Sequence, residues 1–282
     1  MNKVIYKGVI RDGKPGTFTK ENYEVVYSDE SKSAKLNPLP KIDYDSDAYR
    51  KLVNDSALAE DYFKEHDKQQ PGYFKFIGPY LKRGYTVADC GCGGGSMLDL
   101  IKGVAGTTIA IEPFIGYHAS LRDRKHLPYN SITNALNEHS GKVDLALSIH
   151  VIEHTEDPLS YLKEIYNLLK PGGVSVVFTP NLDDVLLKLY PEKYAPFFYR
   201  TVHNYYFTGE SLEILGKQAG FKKADKFYYH EFGFANLVNW LKDGKGMGNV
   251  EINGIDSGID ANWKIWLEET GQSYNVGVVL YK

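Results

Sequence analysis

Four glycines fall within five residues at Gly91-Cys92-Gly93-Gly94-Gly95, directly after the apolar, acid-bearing run Val87-Ala88-Asp89-Cys90. A turn this bare lets a ligand lie against the backbone and opens a helix whose first amides can hold an anion. Glu112 closes a second apolar run, Ile109-Ala110-Ile111. A carboxylate at that point is a bidentate acceptor for the two hydroxyls of a ribose, so the pair describes nucleotide-type cofactor chemistry. His150, Glu153 and His154 follow a third apolar run. On a helix, spacings of three and four share a face, so the three side chains converge either for general-base catalysis or around a metal ion. Glu153-His154 reads equally well as a cap that packs the end of the strand. His203 is another candidate base, standing just before the aromatic Tyr205-Tyr206-Phe207.

These residues need a scaffold that brings strand ends together, and the chain supplies one. Thr86–Cys90, Thr107–Glu112, Val143–Ile149 and Val174–Phe178 read as strands, with a short third strand near Ser131-Ile132. Continuous apolar runs such as Val143–Ile149 suit parallel strands buried on both faces. Helical patterns separate them: Ser96–Lys102, Ile115–Arg124, Leu159–Leu169 behind the Asp157-Pro158 start signal, and Thr208–Ala219. Lys170-Pro171-Gly172-Gly173 stops the third of these. Ahead of them Ser46–Leu81 is helical with an interruption at Pro71-Gly72, and two β-rich stretches, Ala224–Phe232 and Tyr274–Tyr281, complete the sheet. Residues 1–50 differ: Lys3–Ile10 and Tyr23–Tyr27 alternate like strands around a Gly/Pro-rich turn, and Asn37-Pro38-Leu39-Pro40 forbids a helix. The expected architecture is α/β, a Rossmann-like seven-stranded, mostly parallel sheet with one antiparallel strand and helices on both faces. Residues 1–50 form a small N-terminal β appendage, and residues 51–282 the main domain with an insertion at about 236–272.

The 282 residues are 43% apolar and 24% charged, with a formal net charge of −3, which excludes a primarily nucleic-acid-binding protein because such proteins present a basic surface. No run approaches membrane-spanning length and no signal-peptide core begins the chain, so a cytoplasmic location is expected. The two cysteines, Cys90 and Cys92, lie in the glycine turn and build no disulfide framework or zinc site. Twenty-two tyrosines stand out. Those at Tyr190, Tyr194 and Tyr199, next to Arg200, offer aromatic faces to a polar acceptor.

The alternating glycines with the preceding Asp89, then Glu112, then Val143–Pro158 with its Ile149-His150-Val151-Ile152-Glu153-His154 core, resemble the class I S-adenosylmethionine-dependent methyltransferases. Leu168–Gly173, His203–Leu212 and Gln218-Ala219-Gly220-Phe221 extend the resemblance, which covers about Phe74–Phe232 and the last strand. It implies S-adenosylmethionine as cofactor, held by Tyr73, Asp89, Gly91, Cys92, Gly93, Gly95, Glu112, Pro113, Asn134, Ala135, Ile149 and His150. Within it, Glu112 takes the ribose, Asn134 and Ala135 flank the adenine, and Ile149 and His150 lie beside the methionine portion. It also implies a base drawn from His150, His203 and His154, and no metal, because His150 stands where some quinone-type relatives carry a further acid. The centre is similar to the ubiquinone-type O-methyltransferases. Tyr23–Tyr27 and Asn37–Pro40 are similar to a segment of bacterial sugar methyltransferases. The favoured acceptor is a hydroxyl of a sugar or cell-envelope polysaccharide intermediate, the alternative a quinone-like or other small molecule, and a homodimer is possible within the family. Two other readings stand beside these. An NAD-dependent oxidoreductase is opposed by Ser96 at the sixth position of the dinucleotide fingerprint, and a non-catalytic cofactor-binding module is opposed by the presence of Glu112.

Overall fold

The computed structural model describes residues 1–53, 58–246, 248 and 251–282. In chain order its elements are β1 (Asn2–Gly8), β2 (Tyr23–Ser28), β3 (Ala34–Asn37), α1 (Asp47–Val53), α2 (Ala59–His66), α3 (Gln70–Ile77), β4 (Thr86–Cys90), α4 (Ser96–Ile101), β5 (Thr107–Ile111), α5 (His118–Asp123), β6 (Leu127–Tyr129) and α6 (Ile132–His139). They continue with β7 (Val143–Ile149), α7 (Pro158–Leu168), β8 (Leu169–Pro180), α8 (Val185–Leu189), α9 (Pro191–Phe198), β9 (Tyr205–Tyr206), α10 (Gly209–Ala219), β10 (Lys223–Tyr229), α11 (Phe234–Asp243), α12 (Ser257–Glu269) and β11 (Asn275–Tyr281). Parts of the expected helix before Leu81 (54–57) and of the 236–272 segment (247, 249 and 250) lie outside the described residues.

The Rossmann-like, mostly parallel seven-stranded sheet expected from the sequence is present, with strand order β10-β11-β8-β7-β4-β5-β6. β4 pairs in parallel with β5 and with β7, β5 with β6, and β7 with β8. The order therefore reverses at β4: later strands run outward from it on both sides. Open α/β sheets bind ligands outside the carboxyl ends of the strands at such a switch point. The loops leaving β4, β5 and β7 carry the glycine turn, Glu112 and His150.

Local chemistry explains most of the boundaries. Asp157 accepts from the amides of Leu159 (3.0 Å) and Ser160 (3.1 Å), and Pro158 occupies the first turn, so α7 starts there. Three expectations needed correction. The interruption expected at Pro71-Gly72 falls earlier, at a 3-10 turn of Asp67–Gln69, and Pro71 instead sits in the first turn of α3. The third strand lies at Leu127–Tyr129, not at Ser131-Ile132; the Ser131 hydroxyl instead accepts from the Asn134 amide (3.1 Å) and caps α6. The Lys170–Gly173 stretch ends α7 but belongs to β8. Val143 pairs with Leu169 and Leu145 with Val174, so the proline and glycines bulge out of the ladder between them.

The chain divides into two compact units, one of residues 1–40, 179–213 and 226–277, the other of 41–178, 214–225 and 278–282. The first contains an antiparallel sheet of order β1-β2-β3-β9, and a core in which Ile10, Val25, Leu36, Phe198, Tyr206, Trp240 and Leu267 are buried. The second has Val87, Ala88, Ile109, Leu145 and Leu147 buried at the sheet centre. Among the described residues no helix is long and apolar enough to cross a membrane.

Candidate active site at the ends of three adjacent strands

The turn after β4 is held from both sides. The amides of Gly91 (2.7 Å) and Cys92 (3.1 Å) donate to the Ile111 carbonyl, tying the turn to the end of β5. Gly91 has φ +87°, in the region that favours glycine, and a Cβ there would collide with the Val151 side chain. A Cβ on Gly93 would collide with the Tyr62 hydroxyl, so the α2 tyrosine rests directly on the turn. Arg124 donates to the Gly94 carbonyl (2.5 Å) and pairs with Asp99 of α4, fixing the far side.

Glu112, 4% exposed, is the most heavily engaged group. Its Oε2 accepts from the Gly93 amide (2.8 Å), and its Oε1 accepts from the Phe114 amide (3.0 Å) and from Arg50 Nη2 of α1 (2.7 Å). The Arg50 guanidinium also lies over the rings of Tyr117 (5.1 Å) and Phe114 (5.5 Å). Asp89 is buried too, and among the described residues no hydrogen bond reaches its carboxylate. Burial, reinforced by the charge of Glu112, pushes Asp89 up to about 7.

That shift has a sign. The folded chain keeps the Asp89 proton up to about pH 7, whereas an unfolded aspartate releases it near ~3.9. Between those values the folded state binds more protons, so stability falls as pH rises through this window and the loss is complete above it. Asp89→Asn is expected to flatten the unfolding free energy over pH 4–7 by up to ~1.4 kcal/mol per pH unit. Urea titrations at several pH values give the slope, and an unchanged slope in Asp89→Asn would contradict this assignment. Asp184, buried in the first unit and likewise near 7, adds a separate contribution of the same sign.

After β7, His150 adopts φ +55° and so stands off any helix; the short helical turn begins only at Ile152. Its Nε2 lies 3.1 Å from the Tyr73 hydroxyl, and its Nδ1 lies 3.4 Å from Glu153 Oε1. Glu153 is 1% exposed. Burial alone would raise its carboxyl, but the hydrogen bond with His150 and the charges of His154 and His150 outweigh it and hold it below the usual carboxylate range. The shared helical face expected for the three residues is absent, but Glu153 still meets both histidines: Nδ1 of His150 stands 3.4 Å from its carboxylate, and a ring nitrogen of His154 lies within 4.8 Å of a carboxylate oxygen. The His154 ring packs edge-on against Tyr44 (5.5 Å) and Tyr49 (6.3 Å).

The remaining expected site residues divide clearly. Ile149 is half-buried at the end of β7, Pro113 half-buried after Glu112, and Cys92 and Gly95 are buried in the turn. Ala135 is buried, while Asn134 is exposed and donates to Asn130. His203 belongs to the first unit, where it is buried with its ring 5.9 Å from that of Tyr206. Arg50 and Tyr62, which close on Glu112 and the glycine turn, were not singled out by the sequence.

A family model described as a methyltransferase domain matches residues 62–225, more than half of the chain. The chain belongs to this family. The class I methyltransferase resemblance drawn from the glycine turn and Glu112 therefore holds, and S-adenosylmethionine is the cofactor of that class. Among similar proteins, a ubiquinone biosynthesis O-methyltransferase of Ruegeria pomeroyi is 29% identical over 170 residues, covering 56% of this chain and 66% of the relative. A probable S-adenosylmethionine-dependent methyltransferase of Mycolicibacterium smegmatis is 28% identical over 55% of this chain and 59% of the relative. The chain thus spans 66% and 59% of the lengths of these two relatives, less than two thirds of either. A SAM-dependent methyltransferase of Archaeoglobus fulgidus shares the fold, with TM-score 0.55 and 17% identity over 79% of this chain and 97% of that one.

Proposed function

We propose that this methyltransferase carries a methyl group from S-adenosylmethionine to a hydroxyl of a small aromatic, quinone-like acceptor, with His150 as the base. The observation that carries the reading is the Tyr73–His150–Glu153 chain of polar contacts at the end of β7, one strand from the glycine turn. An ionised, buried Glu153 beside Nδ1 keeps the proton there, so the Nε2 lone pair accepts from the Tyr73 hydroxyl; once Tyr73 yields that position to the acceptor hydroxyl, Nε2 takes its proton and Glu153 stabilises the imidazolium.

The residues of the β4 and β5 ends suit the cofactor. Among the described residues no hydrogen-bond donor reaches the Asp89 carboxyl group, which would receive the ammonium of the amino-acid moiety. Bare backbone at Gly91 and Gly93 would lie against that moiety, and Glu112 would take the ribose hydroxyls. When bound, the cofactor supplies a methyl group activated by an adjacent sulfonium. Arg50 and the Phe114 and Gly93 amides already occupy three of the roughly four acceptor positions of the Glu112 carboxylate, so Arg50 must move for the ribose to bind bidentately.

The sugar or cell-envelope acceptor favoured by the sequence gives way here to its alternative. The relatives' names speak of ubiquinone biosynthesis, and proton energetics favour the same choice. A phenol of pKa about 10 lies roughly 5.7 units below an aliphatic hydroxyl, which is near water's ~15.7, so its proton is easier to remove by ~8 kcal/mol whichever base takes it. Radiolabelled methyl transfer to catechol and to a methyl glycoside discriminates between the two. Transfer to catechol alone is expected, and equal or faster transfer to the glycoside would defeat the aromatic reading.

A further inference from the structure

The unit formed by residues 1–40, 179–213 and 226–277 sets a buried and a half-buried guanidinium side by side, and among the described residues neither has a carboxylate counter-ion. The Arg11 amide donates to the Tyr199 carbonyl (3.0 Å) and the Thr201 amide to the Arg11 carbonyl (3.0 Å), which makes Arg11 and Arg200 direct partners in a parallel bridge. Directly paired residues project on the same face. Arg11 is 5% exposed and its guanidinium carbon stands 4.6 Å from the centre of the Phe197 ring. Arg200 Nη2 donates to the Tyr274 hydroxyl (3.2 Å), but the Nε of both arginines lacks a partner. Burial first, then the charge of Arg200, pushes Arg11 down to about 9, which leaves it charged at neutral pH.

Among the described residues neither guanidinium has a carboxylate within ion-pair distance, whereas the buried Arg50 and part-buried Arg124 are paired, with Glu112 and Asp99. The nearby acids do not fill the role. Asp184 is engaged by the Leu186 amide and the Tyr194 hydroxyl, and burial raises it to about 7, so much of its charge is absent. Asp12 is exposed and accepts from Thr201. Buried charge is ordinarily paired, and two adjacent like charges compound the penalty. A planar fork of donors is the group that binds carboxylate and phosphate in bidentate fashion.

We propose that Arg11 and Arg200 form a binding site for the oxyanion of a small molecule, a carboxylate or a phosphate ester, with the Tyr274 hydroxyl as a further donor. Arg200 and Phe197 remain half-buried and leave the pair reachable. This site goes beyond the methyl-transfer reading and does not depend on it.

The test is thermal unfolding and calorimetric titration of the full chain with inorganic phosphate and with benzoate at constant ionic strength. At least one anion is expected to raise the wild-type Tm saturably. Arg11→Met, which keeps the volume and removes the charge, is expected to unfold without anion at or above the wild-type Tm and to lose at least tenfold in anion affinity. Arg200→Lys, which keeps charge but loses the fork, should also bind at least tenfold more weakly. A response to benzoate alone identifies a carboxylate ligand, and a response to phosphate alone a phosphate ester. A wild-type Tm indifferent to both anions overturns the proposal whether or not the variants fold, as does an Arg11→Met protein that responds like wild type.

Discussion

Glu112→Ala is expected to lower the affinity for S-adenosylhomocysteine by about 10²- to 10⁴-fold, the loss of two hydrogen bonds to a charged acceptor at ~1.5–3 kcal/mol each. Asn134→Ala, at an exposed position, should cost less than tenfold. The same Glu112 variant removes the buried carboxylate that Arg50 pairs with, and breaking such a pair by removing one member costs ~3–5 kcal/mol of folding stability. The two effects are separable. Arg50→Met combined with Glu112→Ala removes the stranded charge, so it should regain most of the stability while regaining none of the cofactor affinity. Calorimetric titration and urea unfolding on the four proteins of the cycle measure both quantities. Affinity that returns along with stability would mean that Glu112 supports the turn and does not hold the ribose.

How far this site could be read from the sequence follows from the range of the interactions involved. β4 and β7 begin and end where their apolar runs do, because a strand buried on both faces leaves an uninterrupted signal. Glu112 was visible for the same reason, as an acid terminating such a run. β6 was misplaced by a few residues: it is three residues long and contains Pro128, which weakens any strand pattern, while the adjacent Ser131 serves as a helix cap. The spacing of His150, Glu153 and His154 promised one shared helical face, but that inference required a helix through all three. The left-handed backbone at His150 breaks it, and the helical turn that follows spans only three residues. Arg50 and Tyr62 lie 62 and 31 residues from Glu112 and Gly93, and Arg11 lies 189 residues from Arg200. Pairings at such separations leave no trace in local periodicity, propensity or capping, and the tertiary fold alone reveals them.

His150→Ala is expected to lower kcat for catechol methylation by about 10²- to 10⁴-fold, the usual contribution of a positioned base. Cofactor affinity should change less than tenfold, since Glu112 and the glycine turn stand on other strand ends. Holding His150 at φ +55° costs energy in a non-glycine residue, and such strain persists where surroundings enforce a particular side-chain direction. Tyr73 and Glu153 supply that enforcement from its two nitrogens. Glu153→Gln should therefore slow the reaction by a smaller factor, because the ring stays in place while the imidazolium loses its neighbouring charge. A nitro-substituted catechol, whose hydroxyl is largely ionised near neutral pH, has little need of a base. Single-turnover rates with it should differ little between His150→Ala and the parent chain. Should His150→Ala slow both acceptors alike, the histidine orients the acceptor, and the proton leaves by another route.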